Sequence, residues 1–399
     1  MIRTLTFHNV EPMLAPHKEL IERVKPRTVR MVLREKDLLE QAEWRSPNDT
    51  IFNGDVWYML PIRIGSLRGD GLAKSLGVNW QDASNLFINA WAKPEDTICT
   101  ELVRQAAEWL RQRNAAGLGF RSGVSFSPPQ GGAFFPFVRH AESSELSRPR
   151  LSIGLELVGK LCALAWEWRG CLSELRAEMS AEIASEIRYE RRRIIDGGRE
   201  TSAAYEVLWD LSLAPDPYPT SRQSVAELFE LIGNIGRARS VPPYRFGDAG
   251  TLFINTWLTG LLKNCTPANS IGMLNGVMLS PMEDELLAER MDQGVCSVGM
   301  LQALSSTCGI GLDMIPLAPR AGRSTALESL LLDTWAQSKA LGNKPLGVRP
   351  IISNELEGEL TSAEHRWIIN MRVLESRRGL GLPLLPAQQN MLNSKVRVR

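Results

Sequence analysis

The stretch Cys308-Gly309-Ile310-Gly311-Leu312-Asp313-Met314-Ile315-Pro316 decides the reading of this chain, together with Asp210-Leu211-Ser212-Leu213-Ala214-Pro215. Each is a short apolar run holding one acid, a thiol or hydroxyl, and a turn. Strands that deliver side chains to the carboxyl edge of an α/β sheet have this form, and such folds place their ligands at that edge. An ionised carboxylate among apolar neighbours is costly unless something pairs with it. Asp210 and Asp313 therefore each require a partner, from the protein or from a ligand.

Outward from these two runs, strand-like and helix-like segments alternate. Met1–Val10 reads as a strand, residues 13–24 as a helix, and Thr28–Arg34 as a second strand with Arg30 and Arg34 on one face. Apolar spacing at three and four predicts helices over Asp82–Ala92 and Thr100–Asn114, with Trp91 and Trp109 on their core faces. Strands are expected over 121–126 and 148–156, and residues 157–208 read as mostly helical, with a break at Asp196-Gly197-Gly198. Then follow a strand over 205–213, helices over 221–235 and 247–263, a short strand over 275–281, and a helix over 297–306. The Cys308–Asp313 strand, a helix over 324–340 and a strand over 346–352 complete the alternation. Such alternation predicts an α/β protein with much parallel sheet.

The composition narrows the function classes. The chain has 399 residues, 44% hydrophobic and 23% charged, with a formal net charge of +1. Near-neutral charge gives no electrostatic case for nucleic acid or an anionic membrane. No apolar run approaches the roughly 20 residues of a membrane helix, and the amino terminus lacks signal-peptide texture. Cysteines at 99, 162, 171, 265, 296 and 308 form no Cys-x-x-Cys pair, and His8, His17, His140 and His365 are well separated. A zinc site is unsupported, and reduced thiols in a cytoplasmic protein are the expectation.

Several short motifs recur in a fixed order: Ile2-Arg3-Thr4-Leu5-Thr6, Arg121-x-Gly123-Val124-Ser125, Phe134-Phe135-Pro136, and Ser152-Ile153-Gly154-Leu155-Glu156. Asp210-Leu211-Ser212-Leu213-Ala214-Pro215, Gly250-Thr251, Gly276-Val277-Met278 with Glu283-Asp284, the Cys308–Pro316 run, and Asn343-Lys344-Pro345-Leu346 follow. With this set the chain resembles the bacterial and archaeal "domain of unknown function 711" family, chiefly over residues 118–375. The resemblance implies a single-domain, ten-stranded α/β barrel similar to pyruvate formate-lyase and other glycyl radical enzymes. It implies no particular activity. Two departures stand out. Residues 35–117 form a Trp-rich, insertion-like region unlike the family pattern. The tail, with Arg377-Arg378-Gly379-Leu380-Gly381, has no Arg-Val-x-Gly-aromatic radical motif, so non-radical chemistry is expected.

Candidate residues follow from chemistry. Asp210, Asp313 and Glu156 at strand ends suit proton transfer, or equally the capping of a neighbouring turn or helix. Cys308 is a possible nucleophile or a small buried hydrophobe. Ser212 shares a strand face with Asp210, and Met278 falls in the Gly276 motif beside the same expected cavity. Arg121 suits a bidentate clamp on a substrate anion, Lys344 a point charge for the same purpose, and Thr251 a helix-start hydroxyl. Glu283 and Asp284 suit either a helix start or a divalent cation such as magnesium, manganese or calcium, although no cofactor is required.

Together these features predict a cytoplasmic, non-radical enzyme doing acid–base chemistry of the lyase or isomerase type on a small anionic metabolite, expected as a homodimer. A metabolite-binding protein without catalysis is the alternative. A scaffold role would require Trp44, Trp57 and Trp80 to form an exposed patch.

Overall fold

The computed structural model describes residues 1–8, 17–33, 55–64, 86–93, 100–129, 131–134, 149–195, 205–217, 223–237, 240–270, 272–319 and 326–374. Trp44, Trp80, the Asp196–Gly198 break and the tail from Arg377 lie outside these residues.

Among the described residues nine strands form one sheet: β1 (Ile2–His8), β2 (Thr28–Val32), β3 (Asp55–Arg63), β4 (Leu86–Ala92), β5 (Ser122–Phe126), β6 (Arg150–Leu155), β7 (Glu206–Asp210), β8 (Gly311–Leu317) and β9 (Leu346–Ile352). Their order is β7-β6-β1-β2-β3-β4-β5-β9-β8. Of these strand pairs only β1–β6 and β5–β9 are antiparallel, so the described residues form a mixed α/β arrangement on a mostly parallel sheet. β1 to β5 run one way and β6 to β9 the other. The amino ends of the first five strands therefore lie at the same end of the sheet as the carboxyl ends of β6 and β7.

Among the described residues the ladder of paired strands stays open, with β7 and β8 at its two ends. Residues 275–281, expected as a strand, make one isolated bridge, Leu213 to Val277. Around it, Leu213 N donates to Gly276 O (3.0 Å), Met278 N to Leu213 O (3.0 Å) and Gly309 N to Val277 O (2.7 Å). A Cβ on Gly276 would lie 2.8 Å from Gly309 Cα, so only glycine fits that approach.

The two faces differ in chemistry because side chains alternate along each strand. Leu5, Phe7, Val29, Met31, Ile88 and Ile153 are on the face covered by helices and are fully buried. There α2 (Thr100–Ala115) packs on β5 and β9, and so does the last described helix, α9 (Ala326–Ala340). Between them in sequence lie α3 (Val158–Glu167), α4 (Leu172–Ile195), α5 (Val225–Gly233), α6 (Thr251–Cys265), α7 (Glu285–Asp292) and α8 (Val298–Leu304); α1 (Lys18–Val24) precedes β2. The opposite face is polar. Register pairs Thr4 with Thr28, Thr6 with Arg30, Arg30 with Trp57, Gly154 with Asp210, and Asp313 with Arg349.

Two sequence expectations change here. Residues 86–92 form β4, an inner strand, rather than a helix. In Leu86-Phe-Ile-Asn-Ala-Trp-Ala92 both faces are buried, so the apolar run has no polar alternation to separate strand from helix. β3 and β4 also show that the described part of the Trp-rich stretch is built into the sheet between β2 and β5.

Candidate functional site

Charge collects on the polar face, at the end shared by the amino ends of β1–β5. Asp313 on β8 and Arg349 on β9 are opposed in register. Arg349 Nε donates to Asp313 Oδ1 (2.5 Å) and Nη2 to Oδ2 (2.8 Å), a bidentate fork. The same Nη2 reaches Glu283 Oε1 at 3.1 Å, and Nη1 donates to Phe120 O at 3.3 Å. Burial pushes the Asp313 carboxyl up to about 6; Arg349 opposes this and Glu283 adds to it. Burial works against the charge of Arg349, yet Asp313 and Glu283 together raise its pKa. One guanidinium thus serves two carboxylates, and the more buried of them holds its proton more readily than an ordinary Asp. A β-bulge follows Asp313, with Met314 at φ 50°, and lets β8 bend where the acid sits.

Arg30 projects from β2 onto the same face. It is only 5% exposed, and its Nε and Nη1 have no hydrogen-bond partner. Its guanidinium carbon stands 4.8 Å from the Trp57 ring centroid and 6.0 Å from that of Phe134. Burial lowers its pKa to about 9, helped by Arg3 and Arg349 and opposed by Glu283 and Asp210. Arg3 comes from a bulge in β1, donates Nη1 to Ala214 O at 2.9 Å, and lies 5.7 Å from the Phe134 centroid and 5.9 Å from that of Trp367. Three arginines and three carboxylates from distant parts of the chain therefore share one electrostatic neighbourhood.

Asp210 ends β7 with no exposure. Its Oδ1 accepts from Ser212 Oγ (2.6 Å) and Ser212 N (3.1 Å), and its Oδ2 from Ala133 N (3.1 Å). Burial raises its pKa against these bonds. Asp210 and Ser212 thus hold the turn beneath Ala133 and Phe134. Met278 packs with Ala133, Phe134, Ala214, Leu274 and Ile310 in a small apolar cluster that adjoins Arg3 and Arg30. Burial lowers the pKa of His365, and Arg121, half-buried at the end of a short 3-10 helix, adds to it; the His365 ring lies 4.6 Å from that of Phe120.

The remaining candidates lie elsewhere or are engaged. Glu156 Oε1 is ion-paired with Arg27 Nη2 (2.9 Å) and accepts from Gln223 Nε2 (2.7 Å); burial raises its pKa, and Oε2 has no hydrogen-bond partner. Gln223 lines a separate cleft of about 560 Å³ with Asp216, Glu227 and Glu285. Asp284 accepts from Ser224 Oγ (2.5 Å), Val225 N (2.7 Å), Ala226 N (3.1 Å) and Leu287 N (3.1 Å), so it caps both α5 and α7. Lys344 Nζ donates to Ser305 O (2.9 Å) and Cys308 O (2.5 Å), closing the turn after α8. Cys308 Sγ accepts from Gly311 N at 3.5 Å inside that turn. Thr251 Oγ1 donates to Asp248 O (2.7 Å) at the start of α6. Trp57 is partly buried in an aromatic group with Phe87, Phe120 and Trp367, not part of an open patch. Among the described residues, no three His, Cys, Asp or Glu side chains are grouped to hold a metal ion, and no helix is long and apolar enough to cross a membrane.

The residues that sequence reasoning passed over are Arg3, Arg30 and Arg349. For Arg30 a signal existed: a charge at an alternating position of a buried-looking strand. Arg349 lies inside the expected 346–352 strand, where it interrupts an apolar run just as Asp313 does.

A family model described as "Uncharacterised ACR (DUF711)" matches residues 92–363. Among curated relatives, a UPF0210 protein of Pyrobaculum arsenaticum is 31% identical over 159 residues, 39% of this chain and 33% of that protein. One of Leuconostoc citreum is 30% identical over 147 residues, 36% and 30% of the two chains. One of Clostridium botulinum is 25% identical over 258 residues, 63% and 52%. The matched part of the chain thus spans between about a third and a half of these relatives' length.

Proposed function

The chain belongs to the DUF711 family, a family described as uncharacterised, and from that premise we propose that it is an enzyme moving protons on a small anionic metabolite at the polar face of its sheet. The observation that carries this reading is Asp313. It is a fully buried carboxyl with its pKa near 6, forked onto Arg349, with Glu283 on the same guanidinium. A carboxyl that gains and loses a proton close to neutrality is suited to general acid–base work. Arg349 would orient it and stabilise the ionised form after transfer. Lyase and isomerase steps that proceed by proton transfer can use such a group.

The same reading includes a barrel-like, ten-position arrangement in which residues 276–278 stand at the open side of the sheet in place of a tenth strand. Support comes from the hydrogen bonds that residues 276–278 make to Leu213 on one side and Gly309 on the other. Non-catalytic binding is the second reading. One observation favours it: both oxygens of Asp210 are engaged by backbone and Ser212 donors, as in a structural turn.

The test needs no prior substrate. A small-molecule extract is incubated in D2O with the protein, and mass spectrometry follows converted or newly deuterated ions. Wild type should convert or label at least one organic acid, and Asp313→Asn, folded by circular dichroism, should not. Undiminished conversion by folded Asp313→Asn would remove Asp313 from the chemistry.

A further inference from the structure

We propose that the guanidinium of Arg30 is the receptor for the carboxylate of a small monoanionic ligand. The inference rests on the preceding reading for the position of the ligand and adds what the ligand must carry. Arg30 is 5% exposed, and Nε and Nη1 lack any hydrogen-bond partner. A buried cation with unmade hydrogen bonds is strongly unfavourable, and natural folds pair such groups. The carboxylates nearby are already engaged. Glu283 bonds Arg349, and Asp210 bonds Ser212 and Ala133 N. Trp57 covers a face of the guanidinium at 4.8 Å, which supplies cation–π attraction but accepts no N–H bond. What remains is the donor capacity of Nε and Nη1, which lie on different edges of the guanidinium plane, each edge completed by Nη2; an edge of that kind is what carboxylates and phosphates bind in bidentate fashion.

The neighbourhood selects between these two anions. Glu283 and Asp210 both act on the Arg30 charge, so a dianion entering there meets two carboxylates as well as the arginines. A singly charged carboxylate suffers less repulsion than phosphate. Arg3 and Arg349 both repel the Arg30 charge, so a negative charge arriving at Arg30 relieves that repulsion.

The full chain is titrated with acetate and benzoate, with benzamide as the neutral isostere and inorganic phosphate as the competing anion, using ligand-observed NMR. At least one carboxylate should bind saturably, benzamide should not, and phosphate should bind about tenfold more weakly or worse. Arg30→Met should lose at least about tenfold in carboxylate affinity. It should also melt at a higher temperature than wild type without ligand, because the unpaired buried charge is gone. An arginine held for structure would give a lower melting temperature instead. If Arg30→Met fails to fold, Arg30→Lys replaces it, and unchanged carboxylate affinity in that variant overturns the proposal. Failure of wild type to bind either carboxylate, or equal binding by Arg30→Met, also overturns it. Asp313→Asn should keep carboxylate binding. Loss of turnover there with binding lost only in Arg30→Met supports both readings. Carboxylate binding that survives in Arg30→Met refutes the anchor alone, and turnover that survives in Asp313→Asn refutes the proton carrier alone.

Discussion

Replacing Asp313 with Asn should abolish a pH dependence of stability that the wild-type chain carries. Burial raises this carboxyl to about 6 in the fold, against the pull of Arg349, while an unfolded Asp titrates at about 3.9. The folded value is the higher one. Its contribution to stability is therefore complete below about pH 4 and is lost as pH climbs through 6. A gap of about two pH units at about 1.36 kcal/mol each comes to about 3 kcal/mol. That is a large share of the roughly 5–15 kcal/mol that holds a domain folded. Urea unfolding of wild type and Asp313→Asn, from pH 4 to pH 8, reads it directly. Wild type should lose about 3 kcal/mol relative to the variant across that range. Glu283→Gln should reduce the loss, because the neighbouring carboxylate is one reason the Asp313 proton is retained. Parallel profiles, or a gap that moves the other way, would mean that Arg349 keeps Asp313 ionised throughout. Asp313 would then be one half of an ordinary ion pair, with no proton to deliver near neutrality.

Asp284→Ala should destabilise the fold by roughly 3–5 kcal/mol in the same assay, since it strands three backbone N–H groups at two helix starts; a loss below about 1 kcal/mol would contradict the double cap. Lys344→Met should cost about 1–3 kcal/mol by freeing the carbonyls of Ser305 and Cys308. It should leave benzoate affinity unchanged, and weakened binding at wild-type stability would instead bring the ammonium into the ligand site.

Much of the fold was legible because its elements carry clear periods or clear ends. The 346–352 strand and the helices near 225–233 and 326–340 follow from apolar spacing and turn residues, and Ser224 caps α5 as Ser and Thr commonly do. β4 was not legible, since a strand buried on both faces and a buried helix present the same run of apolar residues, broken here by Asn89 alone. At the site, the acids stood out while their partners did not. An Asp in an apolar run signals an unmet need, but the sequence cannot say whether a backbone turn answers it, as for Asp210, or an arginine 36 residues away, as for Asp313. Arg30 was visible as a charge on a buried-looking strand, but its significance was not. Its importance lies in partners it lacks, and an absence of contacts leaves no trace in residue order.

The strand order divides the polar face between two stretches of chain. Asp210, Glu283, Asp313 and Arg349 all fall within residues 92–363, the part that matches the family, whereas Arg3, Arg30 and Trp57 come from the strands before it. On the proposed reading, the groups that would trade hydrogen and those that would grip the incoming acid are encoded on separate segments. Grafting a different leading segment onto the same matched body should then change which molecules are admitted while leaving the proposed reactive groups as they stand.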